Sequence, residues 1–360
     1  MAKLLKDLYD EDYINLLSNT IFKEYANFHI EAFKRSVFDE QWHTLELKQR
    51  MRHISSTLGL YLPKEYLNAV SILKVAFSQM NFDYGLQNMI FQDFVEVYGL
   101  YDFEISMDAL AHFTINSSSE FAVRAFILKY ELKTMQQMKS WASSKNEHVR
   151  RLASEGCRPR LPWAIALPTY KEDPTLVLEI LELLKDDESA YVRKSVANNL
   201  NDISKDNPIT LISLTKKWIS HNKNRDALLK HACRTLLKSS NTEVLALFGY
   251  EKLHKLELIN FQITKQVRMG KKLKFSFDLV AGKNLGKIRI EFALNFLRQN
   301  NKYNKKVFKI AEGVYKEKER QIQKTYSFKP ISTRKYYKGL QTLSIIINGE
   351  VFKEAEFMLV

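Results

Sequence analysis

The sequence predicts a multi-domain chain: an all-α solenoid of HEAT-like helical repeats followed by a C-terminal all-β sandwich of immunoglobulin-like kind. Three observations predict it. Apolar residues recur at helical spacing from about residue 3 to residue 248, a short block returns 43 positions later, and after Leu258 the apolar period falls to two. The expected division is a helical domain over 1–250 and a β domain over 255–360, with the junction near 250–258.

The helical half shows its period in Leu176, Leu178, Ile180, Leu181, Leu183 and Leu184. Its repeat is Asn146-Glu-His-Val-Arg-Arg-Leu-Ala answered by Ser189-Ala-Tyr-Val-Arg-Lys-Ser-Val-Ala, which aligns Val149 and Arg150 with Val192 and Arg193. A fainter copy, Leu228-Leu-Lys-His-Ala-Cys, follows. In such repeats the Val is a core knob and the Arg stands at the helix edge, where a row of them lines a concave face. An inter-repeat ion pair with Asp or Glu is the equal alternative for Arg150 and Arg193.

The β half alternates. Leu273, Phe275, Phe277 and Leu279 are separated by polar residues, as are Ile288, Ile290, Phe292, Leu294 and Phe296, so each set reads as a strand with one buried face. Leu343, Ile345 and Ile347 run into Asn348-Gly349 and then Val351 and Phe352, a hairpin with a two-residue turn. Short strands within about 105 residues suggest an antiparallel sandwich, here without the Cys…Trp…Cys core of antibody domains.

Charge is divided as sharply as period. Residues 1–250 carry 31 basic and 31 acidic side chains, whereas residues 251–360 carry 24 and 10, so the whole net charge of +14 lies at the back. A field of that sign attracts a polyanion, and phosphate neutralisation with counterion release is its commonest use. Lys302, Lys305, Lys306, Arg334, Lys335 and Lys338 fall in loop-like stretches of this half.

Other classes are excluded by what the chain lacks. No stretch approaches 18 apolar residues and the first seven read as no secretory leader, so the expectation is a cytoplasmic chain without membrane contact. Cys157 and Cys233 make no disulfide framework or zinc spacing, and His221 and His231 have no carboxylate at ligand spacing, so neither metal nor cofactor is expected. Eleven glycines form no phosphate loop, and there is no nucleophile elbow and no glycine-rich hairpin bearing a lysine nucleophile.

The densest unusual stretch is Arg150-Arg-Leu-Ala-Ser-Glu-Gly-Cys-Arg-Pro-Arg-Leu-Pro-Trp163. Pro159 and Pro162 exclude a helix interior, so the spacing predicts a rigid inter-helix loop holding Glu155, Arg158, Arg160 and Trp163 at a repeat's end. One repeat on, Ser195-Val-Ala-Asn-Asn-Leu-Asn-Asp places Asp202 at the matching helix end. On spacing alone, Trp163 as an inter-repeat plug and Asp202 as a helix cap before Pro208 stand as the alternative.

These two segments resemble the DNA-alkylation repair glycosylases of the AlkC branch of the AlkC/AlkD superfamily. Leu45-Glu-Leu-Lys-Gln-Arg and Ser119-Glu-Phe-Ala-Val-Arg extend the likeness, which covers essentially the whole chain; Cys157 and Ala125 depart from the pattern, where a small polar residue and a proline are expected. The resemblance implies hydrolysis of the N-glycosidic bond of cationic N3-alkylated bases, 3-methyladenine and 3-methylcytosine, by a monofunctional enzyme without a deep base-flipping pocket. It implies Glu155, Trp163 and Asp202 as the catalytic cluster. Arg150, Arg151, Arg158, Arg160, Arg193 and Lys194 are the implied phosphate contacts, with double-stranded DNA as partner to a monomer and the β domain closing on the duplex. The rival expectation is a catalytically silent repeat protein that binds damaged or branched nucleic acid.

Overall fold

The computed structural model describes residues 4–251, 255–331 and 334–360. Residues 1–3, at the front of the stretch read as leaderless, and 252–254, inside the expected junction, lie outside the described residues. Sixteen α-helices occur among the described residues: α1 (Glu11–Glu24), α2 (Ile30–Val37), α3 (Leu47–Tyr61), α4 (Tyr66–Gln79), α5 (Met89–Tyr98), α6 (Phe103–Phe113), α7 (Val123–Lys129) and α8 (Glu131–Trp141), then α9 (Glu147–Gly156), α10 (Thr169–Glu172), α11 (Thr175–Leu184), α12 (Ala190–Ile203), α13 (Pro208–Trp218), α14 (Lys223–Ala232), α15 (Arg234–Lys238) and α16 (Thr242–Leu247). None is long and apolar enough to cross a membrane.

By packing, the chain divides into two compact units that do not follow the change from helix to strand. One comprises 1–207 and 223–232, and the other 208–222 and 233–360, so α13, α15 and α16 fall in the unit that holds the strands. In the first unit the helices pair into two layers. α9, α12 and α14 are the second helices of successive repeats and pack side by side, with α8 and α11 behind them. The repeat seen in the sequence is this stacking: Val149 and Val192 are both buried, as are Leu152 and Val196 one turn on.

Among the described residues of the second unit eight strands form two sheets. β1 (Leu256–Ile263), β3 (Lys272–Ala281) and β6 (Glu319–Ser327) make one sheet, in the order β1-β3-β6. The other runs β2-β8-β7-β4-β5, from β2 (Gln266–Val267), β4 (Gly286–Leu297), β5 (Tyr303–Tyr315), β7 (Gly339–Ile347) and β8 (Glu350–Leu359). Leu273, Phe275, Phe277 and Leu279 face Ile288, Ile290, Phe292, Leu294, Leu343 and Ile345 across one core. The Asn348-Gly349 turn is the two-residue hairpin that the sequence predicts, with φ of 46° and 84° at its centre. β2 lies parallel to β8, so the expected antiparallel sandwich carries one parallel pair.

β4 departs from the expected single buried face, since Arg289, Glu291 and Ala293 are buried as fully as the apolar residues between them. The reason is a polar network of the kind that makes such burial tolerable. Arg289 donates to Glu291 at 2.6 Å and to Glu312 of β5 at 2.8 Å, Tyr250 donates to Glu312 at 3.3 Å, and Asn348 donates to the Glu251 carbonyl at 2.8 Å. The tail of the helical sequence is thereby hydrogen-bonded into the sheet edge.

Candidate active site and nucleic-acid interface

α9 ends at Gly156 because Pro159 and Pro162 follow. The loop 157–168 then turns back, with the Leu167 amide donating to the Pro159 carbonyl at 3.2 Å. Glu155 occupies the last turn of α9 and Asp202 the last turn of α12, the matching place in the neighbouring repeat. Side-by-side packing of these helices brings the two carboxylates, 47 positions apart in sequence, onto one guanidinium. Arg158 donates from Nη1 to Glu155 Oε1 at 2.6 Å and from Nε to Asp202 Oδ2 at 2.8 Å.

The rest of the cluster completes the satisfaction of both acids. Ser195 donates to Glu155 Oε2 at 2.6 Å, and Lys205 donates to Asp202 Oδ1 at 2.8 Å. Arg151 lies 3.6 Å from Glu155 and forms its short bond, 2.5 Å, to Glu120. Glu155, Arg158 and Asp202 are all buried. Burial alone disfavours the Arg158 cation, but the charges of Glu155 and Asp202 outweigh it and raise its pKa. Asp202 is therefore the acceptor of an inter-repeat ion pair, not a helix cap.

Trp163 is placed differently. Its indole is 62% exposed, which excludes the inter-repeat plug, and its backbone sits in the left-handed region at φ 65°. For a bulky residue that conformation costs on the order of 1 kcal/mol or more. Two distant side chains brace the loop. Lys48 of α3 donates to the Trp163 carbonyl at 2.9 Å, while the buried Arg124 of α7 donates to the carbonyls of Gly156, Arg158 and Ile165 at 2.5–2.9 Å. Burial pushes the Arg124 guanidinium down to about 10. Cys157, at the turn out of α9, is also buried, which pushes its thiol up to about 12; Asn199 donates to its sulfur at 3.4 Å.

The six basic residues expected at phosphate have unlike surroundings. Arg150 forms the inter-repeat ion pair instead, with Nε and Nη2 on the two oxygens of Asp187 at 2.7 and 3.1 Å. Arg158 is the bridge between the acids, and Arg151 is tied to Glu120. Arg160 is exposed but chelates Asp206 through two bonds at 2.8 and 2.5 Å. Arg193 donates to the Asp187 and Glu188 carbonyls, and Lys194 stands exposed.

Arg193 and Lys194 line a cleft of about 210 Å³ between α12 and α14, with Asn224 and His231 opposite them. His231 stands in the faint third copy of the repeat and was weighed only as a metal ligand, while Asn224 went unassigned. Ser195, Arg124 and Lys48 went unassigned too, and all three lie in the quoted motifs. In the β unit, Lys306, Arg334 and Lys335 border an open cleft of about 650 Å³ with Arg298 and Tyr337, while Arg334 stacks on Phe296 and Phe308.

Fold and site define a class: a helical solenoid with an acid–arginine cluster between adjacent repeats, followed in sequence by a basic immunoglobulin-like sandwich. Residues 111–236 match the family described as DNA alkylation repair enzyme, and residues 257–360 match the C-terminal Ig-like domain of the uncharacterised protein YhaZ. The chain is 44% identical over 357 residues, 99% of each chain, to the uncharacterized protein YhaZ of Bacillus subtilis strain 168. It is also similar to a solved structure of the alkylpurine DNA glycosylase AlkC of Pseudomonas fluorescens bound to DNA containing an abasic site analog. That likeness has TM-score 0.95 and 32% identity, over 99% of this chain and 100% of that one. The chain belongs to the AlkC-type DNA alkylation repair enzyme family, as the residues of the two central motifs implied.

Proposed function

We propose that this protein is a monofunctional DNA glycosylase that hydrolyses the N-glycosidic bond of cationic N3-alkylated bases, 3-methyladenine and 3-methylcytosine, in double-stranded DNA. The observation that carries the reading is the convergence of Glu155 and Asp202 on Arg158 beside the loop that presents Trp163 to solvent. A silent DNA-binding solenoid has no use for two buried acids held ready at one place.

The chemistry asks for such groups. An alkylated base is positively charged and leaves with the electron pair of the C1′–N bond, becoming neutral, so no strong general acid is required. The positive charge passes to the deoxyribose, and the carboxylates of Asp202 and Glu155 stabilise it. Water adds its oxygen to C1′ and gives up a proton to solvent, with Asp202 orienting it. Trp163 offers its π face to the cationic base or sugar, an interaction worth roughly 0.5–2 kcal/mol. Unmodified bases carry no such charge and are poor leaving groups, so selectivity follows from the lesion's chemistry.

The arginine bridge has a clear part in this scheme. Two uncompensated carboxylates in a buried site would cost several kcal/mol each, and Arg158 with Lys205 offsets that cost while holding both side chains in place. Grip on DNA falls to the cations at the surface, namely exposed Lys194 and half-buried Arg193 in their cleft, Arg160 at the loop, and the lysines of the β unit.

Incubating the protein with methylated DNA and identifying the released bases by chromatography tests the activity. Release of 3-methyladenine and 3-methylcytosine, with guanine and adenine retained, is the expected result; an empty supernatant removes the enzymatic reading. Grip is tested separately. Changing Lys305, Lys306, Lys335 and Lys338 together to glutamine should flatten the dependence of log affinity on log salt by about 0.9 for each lysine that meets a phosphate. A slope identical to wild type would take these lysines out of the interface.

A further inference from the structure

Two of the motifs that carry the family resemblance lie outside the Glu155–Arg158–Asp202 bridge, yet both meet at the Trp163 loop. Lys48, from Leu45-Glu-Leu-Lys-Gln-Arg, lies 115 positions from the carbonyl that it holds. Arg124, from Ser119-Glu-Phe-Ala-Val-Arg, donates its guanidinium hydrogen bonds to the backbone carbonyls at 156, 158 and 165. A fully buried guanidinium commonly pairs with a carboxylate; here the backbone of one loop takes its place. The residue at the centre of the four held carbonyls is a tryptophan with a positive φ and its ring in water. Neither burial nor backbone preference selects that arrangement.

We infer that Lys48 and Arg124 are positioning residues that pin the loop 157–168 so that Trp163 is presented, pre-formed, toward the alkylated nucleotide. The inference rests on the reading of Trp163 as a lesion contact. Its physical content is preorganisation: a loop free to relax Trp163 into the ordinary backbone region would have to be re-ordered during each turnover. Arg124 also holds the carbonyl of Arg158, so the same side chain braces the backbone from which the bridging guanidinium extends.

The two residues call for different tests. Lys48 is exposed, so Lys48→Met leaves the fold intact; Arg124 is buried, so Arg124→Lys, which keeps the charge but loses the fork, is the milder change available. Single-turnover base release should fall about fivefold in Lys48→Met and at least tenfold in Arg124→Lys. Affinity for undamaged duplex should stay within twofold in Lys48→Met, and Lys48→Arg should recover most of the rate.

In a Trp163→Ala background Lys48→Met should not lower the rate by more than a further twofold, because it acts through the indole, whereas Arg124→Lys, which also braces the Arg158 backbone, should keep part of its effect but not all of it. With 5-fluorotryptophan in place of the four tryptophans, Lys48→Met should shift or broaden only the resonance that Trp163→Phe removes. An unmoved Trp163 resonance, or the full loss of rate persisting in the Trp163→Ala background, overturns the inference. A wild-type protein that releases no base while Lys48→Met still moves the Trp163 resonance supports the pinning and overturns the activity on which its purpose rests.

Discussion

Asp202→Asn is expected to lower the single-turnover release of 3-methyladenine by at least a hundredfold while leaving affinity for undamaged duplex within about threefold. The change is nearly isosteric, and the amide oxygen still accepts from Arg158 or Lys205, so the loop and helix keep their places. What goes is one negative charge. A unit charge about 5 Å from a developing cation, at an effective dielectric constant of about 20, is worth roughly 3 kcal/mol, which is about a hundredfold in rate. The loss is compounded because Arg158 and Lys205 remain beside the site with one counter-charge fewer and repel the cationic lesion. Rates measured with saturating enzyme separate this effect from binding, and an Asp202→Asn protein with wild-type release would remove Asp202 from the mechanism.

Arg158→Met is expected to have the largest effect on stability. It keeps much of the side-chain volume but leaves Glu155 and Asp202 facing each other with the bridge gone. Breaking a buried pair in this way costs about 3–5 kcal/mol, and for a unit of this size each kcal/mol lowers the melting temperature by about 2–4 °C. A fall of roughly 10 °C in thermal melts followed by circular dichroism is the expected outcome. A melting temperature within about 2 °C of wild type would show that the acids do not depend on Arg158. By contrast Arg160, which chelates Asp206 at the surface, should cost less than about 1 kcal/mol when truncated, because exposed ion pairs contribute little.

The contrast between these two arginines explains how the site could be partly read in advance. Both stand in one short loop and both looked like phosphate contacts, since a sequence reports that a guanidinium is present but not what it faces. Packing decided the matter. α9 and α12 lie side by side, so the end of one repeat delivers Asp202 to Arg158, and the turn before α12 delivers Asp187 to Arg150. The inter-repeat ion pair that stood as the alternative for Arg150 is what the structure contains. The pairing of Glu155 with Asp202 was legible because it follows from repeat register, which is a periodic property.

The β half teaches the same distinction. β3, β4, β7 and their hairpin were visible because one buried face imposes period two and because Asn-Gly tolerates the positive φ that a tight turn needs. β1, β5 and β6 were not singled out. In β5 exposed and half-buried residues follow each other irregularly at a sheet edge, where only one neighbouring strand constrains them. Nor did the sequence reveal that α13, α15 and α16 belong to the unit that holds the strands, since an apolar stripe on a helix says that a partner exists without saying which.

By itself, then, the sequence determined the helical and strand periods, the repeat, the division of charge between the two halves and the residues that carry the family likeness. All of these are local or periodic in the chain. Only the tertiary structure decided which arginines are spent on internal pairs, where the compact units divide, and that Trp163 stands in water on a loop braced by Lys48 and Arg124. Those properties depend on contacts between residues 37 to 115 positions apart, and no one-dimensional pattern encodes the choice among partners of equal chemistry.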